Sequence, residues 1–155
     1  MRKIVSVFVF TCFLFLFFAG VFTHLAYADK AADAKAMVEK AAAFLKANGK
    51  TKAFAEFTNQ KGRFTKGELY IFVTDFNGMT LAHGGNPKLV GKDLSTLRDS
   101  DGKFFIKDMI EGAKANGSGW SDYKWANPLT NTIGEKSTYY MKYNDVILAC
   151  GIYKQ

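Results

Sequence analysis

The sequence predicts an α+β domain. A five-stranded antiparallel sheet carries a long N-terminal helix on one face and a helix/loop layer on the other. Three observations predict it. Residues 30–48 place apolar side chains at helical spacing. Five later segments are short, aromatic or β-branched and bounded by turn residues. All adjacent strand connections but one are short enough for hairpins, and the exception contains an amphipathic helix at 103–116.

The chain opens with Arg2 and Lys3, then a nearly unbroken apolar run from Ile4 to Phe22, then Ala26-Tyr27-Ala28. That is the layout of a secretory signal peptide, with cleavage expected after Ala28. The run is almost long enough to span a bilayer, so an uncleaved anchor is the alternative. The expected domains are therefore residues 1–28 as signal and 29–155 as one folded domain. A domain of that length is large enough for a proper core.

Residues 1–28 hold two of the 21 basic residues and none of the 14 acidic ones, which leaves the remainder at +5. The lysines are scattered and form no basic stripe, so nucleic acid is not an expected partner. Of the two cysteines and two histidines, Cys12 and His24 belong to the signal. Cys150, within VILACGIY, reads as a small buried hydrophobe. With one His and one Cys far apart, and no CxxC or CxxCH, neither metal, haem nor another cofactor is expected.

Each element follows from local chemistry. Ala34, Met37, Val38, Ala41, Phe44 and Leu45 make the apolar face of the first helix, with Asp29 as a possible cap. Asn48-Gly49 should stop it, because Gly adopts positive φ without steric cost. A second helix is expected at 52–59. Strands are expected at 68–75 and 79–83, joined by Phe76-Asn77-Gly78. Asp75 reads as a turn-stabilising carboxylate. A loop from Gly84 to Arg98 leads to Asp99-Ser100-Asp101-Gly102, read as a cap for the next helix. That helix presents Phe105, Met109, Ile110 and Ala113, with Phe104 at its shoulder. Strands at 119–126, 136–143 and 146–153 complete the sheet, the last two joined by Asn144-Asp145.

Several phrases in this order resemble the single Cache domain, a PAS-like extracytoplasmic fold. They are YIFVTDFNGMTLAH (70–83), NPKLVGKDL (86–94), DGKFFIKDMIEGAKANGSGW (101–120), SDYKWANP (121–128), KSTYYMKY (136–143) and ILACGIY (147–153). The resemblance covers most of residues 29–155. It implies a small-molecule pocket between the sheet and its covering loops, of the kind used by chemoreceptors and histidine kinases. Short carboxylates such as acetate, propionate, pyruvate and lactate are the implied ligand class. Ala126 stands where the family usually has a proline after the second tryptophan. No second transmembrane segment or kinase follows in the sequence, so the expectation is a stand-alone exported form. A membrane sensor protein is a candidate partner, as is a second copy paired through the N-terminal helix.

Candidate ligand-binding residues follow. In GWSDYKWANP, Tyr123 and Trp125 share one strand face, and each combines an apolar body with one polar atom. The alternative for the tryptophans is plain core. An acid-binding pocket needs a cation, because a buried unpaired carboxylate is prohibitively costly. Lys136 opens the next strand and is the best-placed cation; the alternative is a surface lysine. The resemblance favours Tyr139 over Tyr140 for a hydroxyl, since only one of the two can face the pocket. His83, before Gly84-Gly85, is a candidate donor. Tyr70 and Phe72 are candidates for the floor, and Phe105 and Met109 for the lid side. A lone His supports no Ser-His-acid triad, and Gly84-Gly85 lacks the surroundings of a phosphate loop, so no catalytic residue is expected. A structural or interaction module without a ligand remains the reading from another class, and a membrane-anchored accessory to a sensor the third.

Overall fold

The computed structural model describes residues 2–154, with side chains from Ala28 to Lys154. By contacts the chain divides into two units, Met1–Ala32 and Asp33–Gln155. Apart from Ala28, the expected signal or anchor at 1–28 lies outside the residues whose side chains are described. Among the described residues, no helix is long and apolar enough to cross a membrane.

Helix α1 is assigned over Arg2–Thr58, so Asp29 lies inside the helix and does not cap it. At Gly49, φ is 74° and ψ 168°, and two helices meet there at a kink. The stop expected at Asn48-Gly49 is real, and only glycine takes that conformation cheaply. In the second unit α1 buries Ala34, Val38, Ala41, Leu45, Ala53 and Phe57.

Six strands follow: β1 (Thr65–Lys66), β2 (Leu69–Asp75), β3 (Thr80–His83), β4 (Ser118–Ala126), β5 (Ile133–Tyr143) and β6 (Val146–Tyr153). All pair antiparallel, in the order β1-β2-β6-β5-β4, with β3 also on β2. The sixth strand is the two-residue β1. Two residues of pairing carry no hydrophobic period, which is why the sequence concealed it. β5 begins three residues earlier than expected, because Ile133–Glu135 complete the ladder with Lys124–Ala126.

The two sheet faces bury different things. Ile71, Val73, Leu148, Cys150 and Ile152 are fully buried on the face toward α1, where Cys150 Sγ lies 3.7 Å from Met37 Sδ. The other face carries Tyr70, Phe72, Tyr123, Tyr140, Ile147 and Ala149. These pack against Phe105, Ile106, Met109, Ile110 and Ala113 of helix α2 (Phe105–Asn116). Ile106 takes the place the helical reading gave to Phe104, which instead lies half-buried under the Arg98 guanidinium, 4.2 Å from its ring centre.

Loop 84–104 is held to the sheet edge. Gly91 N donates to Thr80 O, Thr80 N to Lys92 O and Leu94 N to Gly78 O, at 2.8–2.9 Å. Asp75 Oδ1 accepts from Asn77 N and Met79 N, each at 2.9 Å, so this carboxylate builds the hairpin turn. Asp99 does not cap α2. The N-cap residue is Phe104, which makes no side-chain capping bond. Asp99 Oδ1 instead accepts from Asp101 N and Lys103 N, and Oδ2 from Lys124 N of β4. A carboxylate six residues before the helix is too far away to reach its first amides, but it can close its own loop and tie it to the sheet.

Candidate ligand site

Strand register assembles the site on the α2 face of the sheet. Lys136 of β5 sits directly between Tyr123 of β4 and Tyr153 of β6. Thr138 lies beside Gly151, and His83 of β3 opposite Phe72 of β2. Alternation then sends Tyr70, Phe72, His83, Tyr123, Trp125, Lys136, Thr138 and Tyr153 to one side.

Lys136 is the unusual member. It is 1% exposed. Its Nζ donates to the Tyr70 hydroxyl at 2.6 Å and lies 4.0 Å from the Tyr70 ring centre and 5.0 Å from that of Tyr153. Gly151 makes this course possible, because a Cβ there would overlap Lys136 Cε and Thr138 Oγ1. A glycine inside a strand commonly marks such a close approach.

No carboxylate of a described residue forms an ion pair with Lys136. Burial therefore pulls its pKa down from 10.5 to about 7, with Cys150 and Glu68 offsetting part of the effect. Burial also drops His83 to about 3, helped by the charge of Lys136. His83 Nδ1 accepts from Asn86 N at 2.9 Å, so the neutral ring carries its proton on Nε2, which is a donor. The ring stacks on Phe72 at 5.6 Å and tilts against Tyr70 at 5.1 Å. Burial raises the phenols as well: Tyr70 and Tyr123 well above their usual range, and Tyr153 to about 12. The Tyr123 hydroxyl is 3.0 Å from Thr138 Oγ1. The neighbouring Ser121 hydroxyl is buried with no partner.

Phe105 stacks on Tyr123 with ring centres 4.1 Å apart and planes 3° from parallel. Trp125 meets Phe105 edge-on at 5.3 Å. Beneath them lies a cavity lined by Tyr70, Phe72, His83, Leu94, Phe105, Ile106, Tyr123 and Trp125. Its free space, about 10 Å³, is room for roughly one water. An enclosed ligand-sized void was the expectation here, and this cavity is far smaller, because the stacked rings fill it. On the outer side Tyr123 and Lys136 also border an open cleft of about 290 Å³. Charged groups surround that cleft. Lys124 Nζ pairs with Asp101 at 2.9 Å, and Lys154 with Asp122 at 2.7 Å.

The structure thus brings together Tyr70, Phe72, His83, Phe105, Tyr123, Trp125 and Lys136. Tyr139 does not join them. It projects from the opposite face, 5.4 Å from the Trp120 ring, with the Lys35 ammonium 5.9 Å from its centre. Residues three apart in a regular strand face opposite ways, so Lys136 and Tyr139 cannot serve one pocket. Tyr140 takes the α2 side, but its hydroxyl is wedged where a Cβ on Gly112 or Gly119 would collide with it. It sets the close approach of α2 to β4. Met109 is fully buried in the core behind the cavity, and Ile106, one turn away from the expected position, lines it. The sequence reading missed Thr138, Gly151, Tyr153, Leu94 and Ile106. Of these only Gly151, an isolated glycine in an apolar strand, carried a legible signal. At the rim, Tyr153 OH donates to the carbonyl of Ala126 at 2.7 Å, which ties down the strand end where the usual proline is absent.

The family profile named "Single Cache domain 2" matches residues 26–155. The methyl-accepting chemotaxis protein McpP of Pseudomonas putida is 29% identical over 86 residues, covering 54% of this chain and 16% of that protein. The sensor histidine kinase MctS of Rhizobium johnstonii is 36% identical over 70 residues, 45% of this chain and 15% of that one. The matched regions are thus only about a sixth of those longer proteins. A solved Cache chemosensory domain, described for its recognition of carboxylic acid, superposes with a TM-score of 0.69 at 26% identity. That match covers 83% of this chain and 96% of the other. Cache domains are extracytoplasmic sensory modules that bind ligands and catalyse nothing. With the long helix, the antiparallel sheet and the covering α2 layer all in place, the chain belongs to the single Cache domain 2 family.

Proposed function

We propose that the domain is an extracytoplasmic receptor for a short organic carboxylate, with the Lys136 ammonium as its counter-ion. One observation carries the reading: a fully buried amine with no carboxylate partner among the described residues, inside a box of Tyr70, Tyr123, Tyr153 and His83. A buried charge without a partner is costly, and an anionic ligand supplies the partner. The His83 Nε2–H and the Tyr70 hydroxyl offer two further donors. Phe72, Phe105 and Trp125 enclose the short carbon chain. Entry requires the Phe105–Tyr123 stack to part, so the ligand shifts the population from the closed form to an open one.

The recognition of carboxylic acid by a structural relative supports the ligand class without naming the acid. The domain is exported, with residues 1–28 as its signal. Its output runs through a membrane sensor or a second copy paired along α1. A six-heavy-atom acid has an affinity ceiling of about −9 kcal/mol. Micromolar to millimolar binding is the expectation.

Titration calorimetry of the full chain with acetate, propionate, pyruvate and lactate tests the reading. At least one acid should bind, and Lys136→Ala should abolish it. If none binds, the closed cavity favours the second reading, a docking module whose pocket is permanently filled.

A further inference from the structure

We infer that the site takes up its carboxylate together with one proton, which lands on Lys136 Nζ, so that the species recognised above neutral pH is in effect the uncharged acid. This rests on the carboxylate reading and adds to it the protonation state of the receptor.

The geometry carries it. Among the described residues, the groups in contact with Lys136 Nζ are neutral, and the charged side chains of the outer cleft pair with each other, Lys124 with Asp101 and Lys154 with Asp122. From β2 comes the Tyr70 hydroxyl at 2.6 Å, and from β6 the Tyr153 ring at 5.0 Å. β4 contributes Tyr123 and β5 Thr138, whose hydroxyls bond each other. On β3, burial keeps His83 neutral, and its Nδ1 accepts from the Asn86 amide. Cys150 of β6 and Glu68, just before β2, act on the amine electrostatically and offset part of its burial. None of the phenols, nor the Cys150 thiol at about 12, releases a proton near neutrality to become an internal counter-ion. The empty site therefore holds the amine neutral in a large fraction of molecules once the pH exceeds about 7. A bound carboxylate reverses this, because an opposite charge at contact favours the ammonium form. The balance is R–COO⁻ plus Lys136–NH₂ plus H⁺ giving the R–COO⁻···⁺H₃N–Lys136 pair. The proton comes from solvent, and no bond is made or broken in the ligand.

The linkage has a definite size and direction. With an empty-site pKa of about 7, the apparent Kd is flat below pH 7. Above it, Kd rises about tenfold per pH unit while the bound lysine stays protonated. Between pH 6 and 9 affinity falls about a hundredfold.

Calorimetry of the full chain with acetate, propionate, pyruvate and lactate at pH 6, 8 and 9, in buffers of different ionisation enthalpy, reads both quantities. The expected result is close to one proton taken up at pH 8 and about a tenth of one at pH 6, together with the hundredfold loss. Binding with constant Kd from pH 6 to 9 and no buffer-dependent heat would overturn the proton step and leave the carboxylate site standing. A proton taken up only below pH 6 would assign it to His83 and also overturn it. Absence of binding by all four acids would remove the site and this inference together.

Discussion

Lys136→Met should make the protein more stable while it abolishes binding. Methionine matches the lysine stem in length and keeps the course over Gly151 that the strand allows. The amine is held at about 7, against 10.5 for a free lysine. At pH 7 that difference corresponds to a burial penalty on the order of 4 kcal/mol, from 1.36 kcal/mol per unit. Removing the amine also removes the donor to the Tyr70 hydroxyl, a loss of about 1–2 kcal/mol. The net gain is about 2 kcal/mol. For a domain of this size that raises Tm by about 5–8 °C.

The pH dependence has a fixed sign. The native pKa is depressed, so the unfolded chain binds more protons between pH 7 and 10.5. Wild-type stability rises across that window, and the penalty, full below pH 7, fades as the pH climbs. The gap between variant and wild type should therefore be widest at or below pH 7 and nearly closed at pH 10. Thermal melts followed by circular dichroism at pH 6, 7, 8.5 and 10 measure it. A variant that melts below wild type at pH 7, by the same margin at every pH, would mean that the amine is well compensated in the empty site. The physical basis of the receptor reading would then be gone.

Two further predictions address neighbours. Tyr139→Phe should leave carboxylate binding unchanged, whereas Tyr70→Phe should weaken it at least fivefold, as read by the same calorimetric panel. Of these two tyrosines it is Tyr70 that touches the amine, whereas Tyr139 lies on the α1 face. A loss of binding in the Tyr139 variant would contradict the face assignment. His83, held at about 3 against 6.5, contributes stability that is complete above pH 6.5 and is lost as pH falls toward 3. The slope should approach about 1.4 kcal/mol per pH unit. In His83→Asn, whose side-chain oxygen can still accept from the Asn86 amide, melts between pH 4 and 7 should lose that slope.

Much of the fold was legible because its signals are local. Helical spacing from Ala34 to Leu45, the Gly49 stop, the Asp75–Gly78 turn and the alternating strands each depend on a few adjacent residues. β1 and the role of Asp99 were not legible, since both depend on partners elsewhere in the fold. For the candidate site, chain chemistry together with the family resemblance pointed to Lys136, Tyr123, Trp125 and His83. Strand parity alone was enough to separate Lys136 from Tyr139.

Sequence thus settled most of the elements, β1 excepted, because backbone preference and side-chain period act over a few residues. The tertiary structure decided that Tyr70, 66 residues from Lys136, meets its amine. It also decided that Gly151 clears the path, that no described carboxylate forms an ion pair with that amine and that Phe105 closes the space above. Those outcomes depend on register between distant strands and on what a face excludes, and no local stretch of chain encodes either.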